Sequence, residues 1–251
     1  MKAAGINPGE RLVRSGEYDP SRGWRRPAPP LFKRRLAEPV MVAIDCEMVE
    51  TSAGHELARL SVVDAHCQTL ADVLVKPLNP ILDYLTQWSG ITEELLFGIT
   101  TTLADAQNIL LGVVDADCIL VGHSLENDLR AMKIAHDRVI DTSVCFPRRN
   151  GGGGKQALRA LADRMLNLQI QTAGDEGHDS TEDAVTAMRL ALLRLRFGHD
   201  DVRIHNYARS RARIEATAVS HSSSKNSAEH HSGSESQAGV DASGEAASES
   251  V

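Results

Sequence analysis

Two acids spaced two residues apart, at the end of an apolar run, are the first chemically suggestive feature of this chain. They lie in Met41-Val42-Ala43-Ile44-Asp45-Cys46-Glu47-Met48-Val49. Val40 to Ile44 is apolar and rich in β-branched residues, the pattern of a strand covered on both faces. Side chains alternate across a strand, so Asp45 and Glu47 project from the same face. Two like charges on a half-buried surface repel each other, and both lose hydration. A divalent cation removes that conflict, because a hard ion takes oxygen ligands. A lone Asp-x-Glu more often marks a plain strand end, with one acid exposed and the other capping a neighbour. The rest of the chain decides between the two.

Two further acids stand where acids are costly. In Gly122-His123-Ser124-Leu125-Glu126-Asn127-Asp128-Leu129, Ser124 reads as an N-cap, and Leu125, Leu129 and Met132 mark the inward stripe of a helix. Asp128 lies three residues after Leu125 and four before Met132, so it leans toward the buried side. In His178-Asp179-Ser180-Thr181-Glu182-Asp183, Asp179 and Glu182 fit a capping box opening a helix over about 180–197. Asp183 follows just past the first turn, and Ala187 and Leu190 continue its face inward. His178 precedes the cap, in the loop.

Four inward acids with few histidines and no cysteine pair favour Mg²⁺ or Mn²⁺ over zinc. Two such ions about 4 Å apart form the usual clamp for attack of water on a phosphodiester. A neutral histidine beside the water can take its proton, since its pKa lies near working pH.

Three strands must carry the first pair of acids: the run ending at Ile44, then Leu57–Val63 and Thr69–Val75, joined by a turn at Asp64-Ala65-His66. Pro77, Asn79 and Pro80 interrupt them. Thr92 caps a short helix to Leu96, and Thr102–Val114 is amphipathic. Short strands follow at Cys118–Val121 and Val139–Thr142. Asn150 and four glycines, Gly151 to Gly154, form a loop; Lys155–Leu166 reads as a helix and 171–177 as a loop. The order β-β-β-α-β-α-β-α-α implies an α/β fold with a mixed sheet and helices on both faces.

Composition bounds the rest. The chain has 251 residues with 42% hydrophobic and 24% charged content, ordinary for a globular protein. No apolar run is long enough to span a bilayer, and the first ten residues lack a signal core. The four cysteines are scattered, which argues against a zinc module or a disulfide framework. The net charge of −7 is uneven. Residues 1–40 hold nine Lys/Arg against four Asp/Glu and several prolines, and read as an irregular basic arm. That arm is either a solvated linker, a nucleic-acid contact or a nuclear-import signal. Residues 41–198 form the domain, and 199–251 a C-terminal extension, Ser-, Ala- and Gly-rich and disordered from about 216.

Taken together, the motifs around Asp45, Asp128 and Asp183 make the chain resemble the DEDDh class of 3′→5′ exonucleases, and within it the eukaryotic Rex-type RNA exonucleases. Glu56-Leu57-Ala58-Arg59, Val75-Lys76-Pro77, Ser89-Gly90-Ile91-Thr92 and Asp141-Thr142-Ser143 extend the likeness, which covers about 41–197. The resemblance implies an RNase H-like mixed five-stranded sheet whose first three strands are antiparallel. It implies two Mg²⁺ (or Mn²⁺) ions held by Asp45, Glu47, Asp128 and Asp183, with His178 as general base. It implies Met48 against the terminal nucleotide, where a polarizable side chain suits a base, with Ser89 and Gly90 bordering that pocket and Arg59 and His123 as further substrate contacts. The expected substrate is single-stranded RNA at its 3′ end, with DNA or a non-catalytic binding scaffold as alternatives. A nuclear address is favoured over the cytoplasm; no membrane association is expected, and no protein partner is specified.

Overall fold

The computed structural model describes residues 18–30, 40–148, 154–172, 174, 177–199, 202–204, 206–207 and 209–210. The sequence readings for the Lys33-Arg34-Arg35 cluster, for Gly151 to Gly153 and for the tail from 216 fall outside these.

Two long strands dominate the fold. β1 (Met41–Thr51) and β2 (Gly54–Asp64) form an antiparallel hairpin, and β3 (Thr69–Leu74) continues the meander from β2. On the other side of β1, β5 (Ile119–Gly122) and β6 (Val139–Asp141) run parallel to it. The spatial order is β3-β2-β1-β5-β6. This is the expected mixed sheet, with one addition. A three-residue strand, β4 (Ile81–Asp83), pairs with the far end of β1 and makes the sheet six-stranded. The proline-broken stretch before it hides β4 from a pattern search, because three residues carry no period.

The helices divide between the two faces. α7 (Ser180–Phe197) covers one, packing Ala184, Ala187, Met188 and Ala191 over Ala43, Val63 and Val121. α3 (Leu103–Val113) and α4 (Glu126–Ala131) cover the other, where Ala106, Leu110, Leu125 and Leu129 meet Ile44, Leu60, Val62 and Leu120. Between the strands and these helices lie α1 (Thr86–Ser89), α2 (Glu93–Leu96), α5 (Thr142–Cys145) and α6 (Leu158–Leu161).

Three local expectations are corrected. Ser124 does not cap α4. It has φ +60°, and the helix-opening N–H groups of Ser124 and Leu125 donate to the Asp141 carboxylate at 2.9 and 3.2 Å. A carboxylate from the neighbouring strand replaces the local cap. The helix over 155–166 is one turn of α-helix followed by a wider π turn over Ala162–Leu166, closed by Asn167 at φ +55°. Gln156 stays outside it because its side-chain amide donates to the Phe146 and Pro147 carbonyls. The box at α7 is half formed: Asp179 accepts from the N–H groups of Thr181 and Glu182, but Glu182 takes the Gln171 N–H at 3.0 Å.

The arm is also less irregular than its composition implies. Residues 18–30 lie along the domain as a strap. Arg25 N–H donates to Lys133 O at 2.9 Å, and Ala135 N–H donates back to Arg25 O at 3.0 Å. Trp24 packs on the α3–α4 side of the core. Past α7, Ile204 is fully buried and the Tyr207 ring packs at a tilt on Phe197 at 5.2 Å, so these two residues still pack with the fold.

Candidate active site

The site forms where β1 outruns β5. Their pairing ends at Ala43–Val121, while β1 continues for eight residues. Gly122 makes the exit from β5 tight: a Cβ there would lie 2.6 Å from Leu125 Cδ1 and 3.3 Å from Ile44 O. The chain therefore enters α4 close against β1. Asp128 takes the position a neighbouring strand would have occupied, its Oδ1 accepting from Cys46 N–H at 2.9 Å.

Asp45 and Glu47 share the face of their β2 partners, Ser61 and Arg59. α7 covers that face and is fastened to it by hydroxyls. The buried Ser61 and Ser180 Oγ atoms are 2.6 Å apart, and Thr181 donates to Ser61 at 3.2 Å. Asp183, one turn into α7, is thereby held beside the β1 acids. Its Oδ2 accepts from Gln171 Nε2 at 2.7 Å; its Oδ1 is buried with no hydrogen-bond partner among the described residues.

Glu47, Asp128 and Asp183 are only 8%, 5% and 5% exposed. Burial is the first cause of their raised pKa values, and nearby carboxylates add to it. Burial, then Asp128, Asp183 and Glu47, push Asp45 well above the usual carboxylate range. Glu47 is pushed up to about 8 by burial and Asp183, against the opposing charge of Arg59. Asp128 is raised to about 8 by burial, despite its bond from Cys46. Asp183 is raised to about 7 by burial, despite its bond from Gln171. Such a group of buried carboxylates with raised pKa values marks a functional site more often than a structural one. The donor set consists of hard oxygens, and it includes one orphaned buried atom. It fits a divalent cation. Among the described residues, no three His, Cys, Asp or Glu side chains are placed close enough together, as they stand, to hold a metal ion.

His178 stands at the rim. Its N–H donates to Trp88 O at 3.0 Å, and Nδ1 lies 3.8 Å from Asp183 Oδ2. Partial burial and the Arg159 charge lower its pKa, so it is neutral near pH 7. The preceding Gly177 packs directly on Gly90.

The other candidates are placed variously. Ser89 is buried; its hydroxyl donates to Tyr84 O and accepts from Ile91 N–H, shaping the turn that sets Gly90 at φ +64°. Met48 is half-buried on the opposite side of β1 from Glu47, among the α3–α4 core residues. A register shift falls between Glu47 and Met48 and leaves Ala58 as the extra residue of β2. Two candidates for direct substrate contact are engaged within the protein. Arg59 forms a two-pronged pair with Asp72, at 2.7 and 2.6 Å, and acts on the site through its charge on Glu47. His123 has Nδ1 on Thr142 Oγ1 and Nε2 on Gln156 O, both at 2.9 Å, so neither ring nitrogen is left over. A groove of about 460 Å³ lined by Lys76, Asn79, Leu103, Arg130 and Lys133 contains none of the four acids.

Sequence reasoning missed Gln171, Gly177 and Trp88. Gln171 and Gly177 lay in a stretch read only as a loop. Trp88, 61% exposed beside His178, carried one usable signal: a large aromatic immediately before Ser89-Gly90.

A mixed sheet flanked by helices, with carboxylates collected where its central strand runs free, defines an RNase H-like nuclease domain. Comparison with known proteins agrees. The model of the exonuclease family RNase_T matches residues 42–191, and the chain belongs to that family. An uncharacterized exonuclease of Schizosaccharomyces pombe is 41% identical over 187 residues, which are 74% of this chain and 30% of that protein. The human RNA exonuclease 1 homolog is 47% identical over 168 residues, 66% of this chain and 14% of its own. This chain therefore spans under a third of either relative. Among solved structures, the Pan2 catalytic unit of Neurospora crassa has a TM-score of 0.56 at 28% identity, covering 79% of this chain and 34% of that one. The Saccharomyces cerevisiae Pan2 module solved in complex with AAGGAA RNA has a TM-score of 0.58 at 25% identity, covering 77% and 35%. The exonuclease-family match takes in all four acids and His178.

Proposed function

We propose that this protein is a metal-dependent 3′→5′ exoribonuclease of the DEDDh class acting on single-stranded RNA. The observation that carries the reading is the burial of four carboxylates with raised pKa values, from three separate elements, together with an Asp183 Oδ1 that has no hydrogen-bond partner among the described residues. An acid cluster of this kind is stable in its charged form only around cations. Asp45, Glu47, Asp128 and Asp183 would hold two Mg²⁺ or Mn²⁺ ions, which when bound supply a water of lowered pKa and charge stabilisation of the leaving oxygen.

The residues of the chain supply the rest. His178, neutral and half-exposed, accepts the proton of the attacking water at an imidazole nitrogen. Its backbone tie to Trp88 O holds the ring at the rim rather than in the core. Gln171 fixes Asp183 Oδ2, while Oδ1 is buried with no hydrogen-bond partner among the described residues. Arg59, anchored by Asp72, moderates the charge at Glu47.

RNA as substrate is supported by relatives named RNA exonucleases and by the likeness to Pan2 solved with RNA. A nuclear address belongs to the same proposal and rests on the basic arm. The test is a time course on 5′-labelled single-stranded RNA and the matching DNA, with Mg²⁺, Mn²⁺ or EDTA. A ladder shortening from the 3′ end, faster on RNA and absent in EDTA, is expected. RNA binding without turnover in either metal would favour a scaffold instead.

A further inference from the structure

An indole is the largest apolar side chain a protein makes, and this chain has two. Trp24 is half-buried in the strap, packed on the core. Trp88 is 61% exposed, on the four-residue helix α1. An exposed tryptophan alone means little, but the surroundings of this one are specific. Its carbonyl accepts the His178 N–H at 3.0 Å, and its ring stands edge-on to the imidazole, centroids 6.4 Å apart and planes at 86°. The rings meet nearly at right angles, and the exposure of Trp88 leaves indole surface facing solvent beside the reacting centre.

The backbone under it is fixed. Thr86 Oγ1 donates to Ile91 O at 2.6 Å, Ser89 Oγ donates to Tyr84 O at 2.8 Å, and Gly90 N–H donates to Thr86 O at 2.9 Å. Ile91 anchors the turn in a small core cluster with Val49 and Ala58, at the far end of the strand that carries Glu47. Fixed at its base and largely exposed, the ring has the features of a stacking platform. Every nucleobase presents a π-face, and stacking on an aromatic ring favours bases that are unpaired.

Resting on the exonuclease reading above, we propose that Trp88 is a substrate-positioning residue: its indole stacks on the base of a nucleotide adjoining the scissile phosphate of single-stranded RNA. The stack sets the phosphate against His178 and the four acids, and it excludes a base still paired in a duplex. The enzyme then prefers unpaired 3′ ends, and purines over pyrimidines at the stacked position, because the larger ring overlaps more indole.

The test compares wild type with Trp88→Phe and Trp88→Leu in steady-state hydrolysis of short oligoadenylate. Leucine retains apolar bulk without a π-face; phenylalanine retains the π-face. Because the hydrogen bond to His178 comes from the backbone carbonyl of residue 88, both variants keep that bond. The expected result is a rise in KM of roughly 5- to 100-fold for Trp88→Leu, the range of one lost base stack, with kcat within a few-fold and Trp88→Phe restoring most of the affinity. An abasic site placed in turn at the last and the next-to-last nucleotide should erase the difference between wild type and Trp88→Leu at one of the two. In a Trp24→Phe background, adding oligoadenylate in EDTA should quench the remaining indole fluorescence.

A Trp88→Leu loss confined to kcat, with a displaced pH profile, would assign Trp88 to supporting His178 and overturn the stacking role. An unchanged KM, or a KM effect that persists with the abasic site at both positions, would overturn it as well. Failure of wild type to shorten any RNA in Mg²⁺ or Mn²⁺ is a different outcome, and would overturn the exonuclease reading itself.

Discussion

Gly177 lies so tightly against Gly90 that a Cβ on it would stand 2.1 Å from Gly90 N and 2.7 Å from Thr86 O. Gly177 also has φ +84°, a region that residues with a side chain rarely adopt. Two backbones touching without side chains between them thus bring the His178 loop onto α1. Gly177→Ala must push the loop away by roughly 1 Å, a displacement that costs about 10²-fold in rate when it misplaces a reacting group. The expected outcome is a kcat lowered by about that factor, with a smaller drop in melting temperature. A variant within three-fold of wild type would show that this contact does not set the position of the imidazole.

His178→Ala tests the proposed general base. The expected loss in kcat is roughly 10²–10⁴-fold, the usual share of such a group. The pH profile gives a second check. A base works in its neutral form, and burial with the nearby Arg159 charge lowers this pKa from 6.5. The acid limb of kcat should therefore lie below pH 6.5, flatten above it, and vanish in the alanine variant. A limb centred above pH 7 would contradict a depressed imidazole.

The carboxylates make stability depend on pH and on metal together. Glu47, Asp128 and Asp183 have folded-state values of about 8, 8 and 7, against ordinary values of 4.5, 3.8 and 3.8. The folded protein binds these protons more tightly than the unfolded chain. Stability from them is therefore complete below about pH 4 and is lost as pH rises through 7 to 8. A cation that binds the charged form offsets that loss. The expected result is a melting temperature that Mg²⁺ raises little at pH 5 and by several degrees at pH 8, relative to EDTA. A Mg²⁺ effect independent of pH would argue against binding at these acids.

Asp128→Asn separates charge from architecture. The amide oxygen still accepts from Cys46 N–H, so the tie between α4 and β1 survives. The charge is gone, and with it one candidate ligand. Activity should fall at least 10³-fold, and the Mg²⁺ gain at pH 8 should shrink, while the melting temperature in EDTA stays level or rises. Near-normal activity would remove Asp128 from the proposed metal set.

What could be read in the sequence depended on whether a residue acts within its own element. Asp45 and Glu47 betray themselves by interrupting an apolar strand, and Asp128 and Asp183 by their place on an apolar helical stripe. Each is a local contradiction of pattern, visible without a structure. The elements that hold them in register are not local. Asp141 caps α4 from across the sheet, so the serine beside the helix was the natural wrong choice. Gln171 reaches Asp183 from a loop whose composition gives no period. Arg59 and His123 have residue types suited to a substrate, but Asp72, Thr142 and Gln156 already engage them, and only the tertiary fold shows it.

The strap offers the last test. Gln107, buried on α3, donates from Nε2 to Met132 O at 2.8 Å and to Gly23 O at 3.0 Å. One amide thus joins the strap to the end of α4, where Met132 N–H closes the turn on Asp128 O at 2.8 Å. Gln107→Leu keeps the volume but leaves two carbonyls unsatisfied, which costs about 1–3 kcal/mol. For a domain of this size the melting temperature should fall by roughly 2–10 °C. Removing residues 1–30 takes away the Gly23 carbonyl and the Arg25 bridge, so its effect and that of Gln107→Leu should be less than additive, as for residues that share partners. Full additivity would mean that Gln107 stabilises α4 alone and that the strap is held by its own backbone bonds. If subadditive, the strap is part of what keeps Asp128 against Cys46, and trimming the arm should raise the Mg²⁺ concentration needed for half-maximal activity while leaving the acids themselves intact.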